Sequence, residues 1–121
     1  MSNKISLLYV DDDLVNRELF EINFEDKYKL YFAEHGNEGL DILENNKEIS
    51  IVISDMKMPQ MNGVEFIKIA KNKFPVIKYY ILTGFEVNVE IQKALNDGLI
   101  LKCFSKPFNF LEIESSISNK N

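Results

Sequence analysis

One cysteine, three prolines, five glycines and no tryptophan stand among 121 residues, and each shortage removes a class of protein. A single thiol, Cys103, cannot close an internal disulfide, and nothing in the chain resembles a Cys/His metal cluster. Disulfide scaffolds and zinc modules are therefore excluded, and a reducing cytoplasm is the expected compartment. Cys103 itself reads as a small buried residue. No apolar run approaches the roughly 20 residues of a membrane-spanning helix, so no membrane partner is expected. Met1 to Ile5 is polar and is followed by a short apolar run, without the long apolar core and small-residue cleavage site of a secretion signal. Repeats, low-complexity tracts and Pro/Gly/Ser linkers are missing as well. One domain over residues 1–121 is expected, with no output domain in this chain. Basic charge is also short: 14 Lys and Arg against 19 Asp and Glu leave a net charge of -5. That balance argues against direct nucleic-acid contact, which depends on clustered Lys and Arg.

What is present is an apolar fraction of 45%, enough for a core, distributed in a regular alternation. Ile5 to Val10 reads ISLLYV, the near-continuous β-rich run of a strand covered on both faces in a parallel sheet. Asp13 or its neighbour caps a helix running to about Glu25, in which Val15, Leu19 and Ile22 form one face with Phe20 and Phe24 beside it. Further strands are expected at Leu30 to Ala33, Ile51 to Ser54, Ile77 to Leu82 and Ile100 to Phe104. A second helix is expected from about Asn37 to Asn45, with Leu40 and Leu43 inward. A third carries Val64, Phe66, Ile67 and Ala70 and closes at Phe74 and Pro75. Val87, Ile91, Ala94 and Leu95 mark the fourth, which ends at Gly98, and Phe110, Ile113 and Ile117 mark the fifth. The segment Met56 to Gly63, MKMPQMNG, is a loop. Five βα units account for the chain, and parallel strands need right-handed crossovers with helices on both faces. The expected architecture is α/β: a flavodoxin-like, doubly wound, five-stranded parallel (βα)5 sheet in the order 2-1-3-4-5.

In such a sheet ligands bind beyond the carboxyl ends of the strands. Asp11 and Asp12 follow the first strand, Asp55 the third, Thr83 and Gly84 the fourth, and Lys106 the fifth, so all can converge on one site. Three carboxylates brought together repel one another, each pair by about 4 kcal/mol at 4 Å for an effective dielectric near 20, which calls for a divalent cation. Oxygen ligands and too few carboxylates for a calcium cage favour Mg²⁺, with Mn²⁺ able to substitute. A cation and Lys106 together would neutralise an incoming phosphoryl group, leaving one carboxylate as nucleophile. Asp55, at the end of the central strand, is the best placed, with Asp11 and Asp12 as a paired metal anchor. The Thr83 hydroxyl can bond a phosphoryl oxygen, and Gly84 leaves space for backbone to approach.

YVDDD, SDMKMPQMNG, LTG and SKPF, in that order and on the expected strand ends, resemble the motifs of bacterial response-regulator receiver domains across essentially the whole chain. The resemblance implies a two-component signalling receiver with Asp55 as phosphoacceptor. It implies a metal site of Asp12, Asp55 and the Lys57 backbone carbonyl, with Asp11 acting mainly through water. It implies Thr83 as switch hydroxyl, Lys106 as phosphate contact, and a cis bond between Lys106 and Pro107. Its expected partners are a sensor histidine kinase or phosphotransfer protein, and an output domain or partner reached through the fourth helix, fifth strand and fifth helix; a phosphorylation-dependent dimer is a further expected assembly. The protein is then a phosphoacceptor switch that assists its own phosphotransfer and autodephosphorylation, and not an enzyme. Cys103 departs from the family pattern, since it occupies the switch-aromatic position, and Phe104 on the opposite strand face cannot replace the ring. Phe85, two residues beyond Thr83, and Lys57, two beyond Asp55, stand where water access to an acyl phosphate is adjusted, and a bulky Phe85 is expected to slow dephosphorylation.

Two other classes compete with this reading. Asp11-x-Asp13 resembles the nucleophile motif of haloacid-dehalogenase-like phosphatases, which also need an acidic pair after the lysine, where this chain offers Glu112 and Glu114. A receiver-like binding module that is never phosphorylated typically loses the acceptor, an acidic residue or the lysine, and all are present. Individual residues have plainer readings too: the aspartate run as a solvated helix start, His35 as a connection residue, and Met56, Met58 and Met61 as loop packing.

Overall fold

Strands and helices alternate along the whole of residues 4–118, which a computed structural model of the protein describes. The strands are β1 (Ile5–Val10), β2 (Tyr28–Ala33), β3 (Ile49–Asp55), β4 (Lys78–Thr83) and β5 (Lys102–Ser105). Between and after them run α1 (Leu14–Phe24), α2 (Gly36–Asn45), α3 (Gly63–Lys73), α4 (Val89–Asn96) and α5 (Phe110–Ile117). All strand pairs are parallel and their order is 2-1-3-4-5, as the alternation predicts.

The sheet divides two apolar layers by the parity of its residues. Leu8 and Val10 of β1, Val52 of β3, and Tyr79 and Ile81 of β4 face α2, α3 and α4 together with Leu43, Phe66, Ile67, Ile91 and Ala94. Leu7, Tyr9, Ile51, Ile53, Tyr80, Leu82 and Phe104 face the other way, against Phe20 and Phe24 of α1 and Ile113 and Ile117 of α5. Burial on both faces explains why β1 and β3 read as continuous apolar runs instead of alternating ones. Each fully buried side chain of this size contributes about 1.5–3 kcal/mol relative to exposure.

Every helix starts on a side-chain cap that satisfies amides otherwise left without partners. Asp13 accepts from the Val15 and Asn16 amides, His35 from Glu38, Asn88 from Ile91 and Asn109 from Glu112. Asn62 and Glu65 form a reciprocal capping box at α3. His35 is thereby a cap, and the three methionines pack: Met56 and Met58 are buried and Met61 lies against the same layer.

Several expectations need correction. The inward face of α1 is formed by Phe20 and Phe24, while Val15, Leu19 and Ile22 are exposed. One stripe of an 11-residue helix can face the sheet, and here it is the stripe whose Phe20 stacks on the Tyr9 ring of β1 at 4.4 Å. Val87 lies before α4 and is exposed, because Asn88 rather than an earlier residue caps that helix. β5 begins at Lys102; Ile100 is buried ahead of it, and the Leu101 amide donates a hydrogen bond to the Tyr79 carbonyl of β4 at 2.9 Å. β2 and β3 each begin two residues before the expected start, at Tyr28 and Ile49. No helix among the described residues is long and apolar enough to cross a membrane.

Candidate functional site

The first strand delivers two carboxylates at its carboxyl end. Asp11 continues the β1–β2 ladder through its amide to the Ala33 carbonyl at 3.0 Å and is wholly buried, whereas Asp12 is exposed. A buried carboxyl group needs hydrogen-bond partners, and Asp11 has four donors around it. The Tyr9 hydroxyl donates to its Oδ2 at 2.6 Å, Asn16 Nδ2 donates to the same oxygen at 3.2 Å, and Lys106 Nζ lies 3.4 Å away. The Asp13 amide donates to Oδ1 at 3.0 Å. Arg17 Nη1 donates to the Asp11 carbonyl at 2.7 Å, fixing the start of α1 against the strand end.

Asp55 is the last residue of β3 and is almost fully buried. Its backbone is clamped from both sides: the Met56 amide donates to the Leu82 carbonyl at 3.0 Å and the Gly63 amide to the Met56 carbonyl at 2.9 Å. A side chain at Gly63 would overlap the Asp55 carbonyl oxygen and come within 2.7 Å of Ile81, so glycine is what lets α3 start against the strand end. At Gly84, by contrast, an added Cβ would meet Lys106 at 3.8 Å, an ordinary contact, so the crowded approach lies at Gly63.

Lys106 closes the site from β5. Its amide donates to the Thr83 carbonyl at 2.8 Å, its peptide bond to Pro107 is cis, and its Nζ lies 3.0 Å from Asp55 Oδ1. Asp11, Asp12 and Asp55 each offer an oxygen within 4.8 Å of the others, so three carboxylates and one ammonium share one pocket. Burial raises the Asp55 carboxyl to about 6, assisted by the Asp11 charge and by Asp12, and opposed by Lys106. Burial alone would lower the Lys106 ammonium, yet Asp55 and Asp11 outweigh it and hold it above the usual lysine value. Burial and then the Asp11 carboxylate keep the Tyr9 phenol far above its ordinary value, so it remains a donor. The donor set is all hard oxygen, compact and acidic, which suits Mg²⁺ or Mn²⁺ and neither zinc nor copper.

Thr83 sits at the same edge, buried, with its hydroxyl accepting from the Phe85 amide at 3.1 Å. Cys103 is half-buried on the α2–α4 side, where burial pushes its thiol up, and Phe104 points to the opposite layer as strand parity requires. Lys57 and Phe85 meet beside Thr83, the ammonium 5.0 Å from the ring centroid. A cleft of about 360 Å³ runs beneath them, with Met56, Thr83, Asn62 and Glu90 in its walls. Asp13 is spent on capping α1, while Glu112 and Glu114 lie 3.5 Å from Lys102 and 3.7 Å from Lys27, so neither the second aspartate nor the acidic pair of the phosphatase motif joins Asp11 around Lys106.

Tyr9, Asn16 and Gly63 were not expected among the site's supports. The parity of β1 was the available signal for Tyr9, since residues two apart on a strand share a face. Asn16 and Gly63 are brought in by packing, which no local pattern announces.

A doubly wound sheet with this acidic pocket and facing lysine defines a class of phosphoryl-handling signalling domains. The family model for the response regulator receiver domain matches residues 7–118, and the chain belongs to that family. Sporulation initiation phosphotransferase F of Bacillus subtilis (strain 168) is 32% identical over 118 residues, 97% of this chain and 92% of the relative. Chemotaxis protein CheY1 of Helicobacter pylori (strain J99) is 32% identical over 111 residues, 86% of each. Against the larger hydrogenase transcriptional regulatory protein HoxA of Cupriavidus necator, identity is 24% and the chain spans 22% of that protein. The crystal structure of a signal receiver domain from an HD domain-containing protein of Pseudomonas fluorescens Pf-5 superposes with a TM-score of 0.88 at 27% identity, covering 96% of this chain and 93% of that one. The protein is a two-component signalling receiver, and receiver domains are switches that bind Mg²⁺ at an acidic pocket and take phosphoryl groups from histidine kinases.

Proposed function

We propose that Asp55 is the phosphoacceptor and that Asp12 and Asp55, with the Lys57 carbonyl, hold a Mg²⁺ ion to which Asp11 contributes mainly through water. The observation that carries this reading is the meeting of Asp11, Asp12 and Asp55 within 4.8 Å of one another with Lys106 Nζ 3.0 Å from Asp55. Asp11 suits an outer position because both of its oxygens already have protein donors. When bound, the ion neutralises charge on the transferring phosphoryl group.

The donor is a phosphohistidine on a sensor kinase or phosphotransfer protein. An Asp55 carboxylate oxygen forms a bond to phosphorus as the bond from phosphorus to the imidazole nitrogen breaks, and the electron pair stays with that nitrogen. Lys106 moves from Asp55 Oδ1 to a phosphoryl oxygen. Thr83 releases the Phe85 amide and turns its hydroxyl to the phosphoryl group, and Cys103, with no ring to swing, leaves it room. The change passes to α4, β5 and α5, the surface offered to an output domain, a partner or a second receiver. A cytoplasmic setting fits the lone free thiol.

Treatment with acetyl phosphate tests this directly. Intact mass should rise by one phosphoryl group with Mg²⁺ and not without it, and Asp55→Asn should abolish the gain. Labelling that survives in Asp55→Asn would place the acceptor elsewhere.

A further inference from the structure

Asp11 Oδ2 receives donors from three elements: Tyr9 of β1, Asn16 of α1, and Lys106 beyond β5. These donors are unequal. Lys106 has a long, flexible stem and is shared with Asp55, and Asn16 is half-buried and donates at 3.2 Å. Tyr9 is fully buried and makes the shortest of the contacts, 2.6 Å, a length characteristic of a hydroxyl bonded to an ionised carboxylate.

The Tyr9 ring cannot reorient without disturbing the core. Phe20 stacks on it at 4.4 Å with 5° between the planes, and Phe32 and Phe108 meet it edge-on, each at 6.3 Å. A tyrosine has two side-chain torsions, and both are set by this packing and by the strand. The hydroxyl is therefore a donor at a fixed position relative to the β1 backbone, aimed at a carboxylate two residues along on the same strand face. A buried phenol among apolar rings costs free energy unless it is bonded, so the alternative is that Tyr9 is a core aromatic satisfying its hydroxyl on the nearest acceptor.

We propose that Tyr9 is a positioning residue for the metal site, its hydroxyl fixing the plane of the Asp11 carboxylate so that Asp11, Asp12 and Asp55 are held at the spacing of a small divalent cation. The inference rests on the reading of that pocket as the Mg²⁺ site. Its physical basis is that a fixed donor on Asp11 sets how that carboxylate meets the water through which it reaches the ion, and that a rigid, compact oxygen site favours Mg²⁺ over the larger, more tolerant Ca²⁺.

Calorimetric titration of the full chain with Mg²⁺ and separately with Ca²⁺, for the unmodified protein and Tyr9→Phe, tests it. The substitution keeps the ring, and circular dichroism checks the fold. Mg²⁺ affinity should fall about tenfold in Tyr9→Phe, with a smaller loss for Ca²⁺, so that discrimination between the ions narrows. The inference is overturned by Mg²⁺ affinity that stays within about twofold, or by equal losses for both ions, which would mark general loosening of the pocket. Should Tyr9→Phe melt early, the ratio of the two affinities, read well below its melting temperature, still decides. If the unmodified chain binds no Mg²⁺, the metal reading itself falls, and this one with it.

Discussion

At the scale of single residues, Asp55 shows how burial and a neighbouring carboxylate shift a titration. Burial and the Asp11 charge oppose its ionisation more than Lys106 favours it, so its carboxyl titrates near 6 instead of the ordinary 3.8. A folded-state pKa raised above the unfolded value means stability that is fully present below pH 3.8 and is lost as pH rises through about 6. Without Mg²⁺, the unmodified protein should lose about 1–3 kcal/mol relative to Asp55→Asn as pH goes from 4 to 7, measured by paired denaturant titrations. The opposite result, an unmodified protein that gains on Asp55→Asn between pH 4 and 7, would mean that Lys106 dominates. Phe85 makes a second claim at this scale. Its ring lies under the Lys57 ammonium in the cleft that Thr83 also lines, and under the reading of Asp55 as phosphoacceptor it is expected to limit water access to the acyl phosphate. Phe85→Ala should shorten the acyl-phosphate half-life several-fold in a decay assay; an unchanged half-life would remove Phe85 from the water path.

At the scale of elements, α1 illustrates what periodicity alone cannot resolve. Its apolar residues cover two adjoining faces, Val15, Leu19 and Ile22 on one and Phe20 and Phe24 on the other, and helical spacing accepts either as the inner one. The sheet chooses, because Tyr9 on β1 presents a ring on which Phe20 stacks, and Phe24 then stacks on Phe20 at 4.5 Å. Phe20→Ala should cost about 3–5 kcal/mol in a denaturant titration, as expected for emptying a core position. Ile22→Ala should cost less than about 0.5 kcal/mol. Similar costs for the two would restore the aliphatic face as the inner one. The third helix was legible because Val64, Phe66, Ile67 and Ala70 form a single stripe, all buried.

At the scale of the whole molecule, the acidic pocket is a standing electrostatic cost of the folded state, and it exists only there. A ligand that binds the folded chain alone stabilises it by mass action, about 2.7 kcal/mol at a hundred times its dissociation constant. Raising Mg²⁺ from zero to saturation at pH 7.5 should therefore raise the melting temperature by several degrees, and Asp12→Ala should lose most of that rise. A melting temperature indifferent to Mg²⁺ would disconnect the three carboxylates from a cation. The same long-range assembly separates what local sequence could determine from what it could not. The strand runs, the Asp13 cap of α1, the parallel order and the four strand-end motifs follow from periodicity, turn chemistry and motif order, all of them local or combinatorial properties of the chain. The donors around Asp11, the need for glycine at position 63, the inner face of α1 and the meeting of Lys57 with Phe85 depend on atoms far apart in sequence becoming neighbours. Those contacts were decided by tertiary packing, since several local patterns are compatible with each element and the sheet accommodates only the one that fills its two layers.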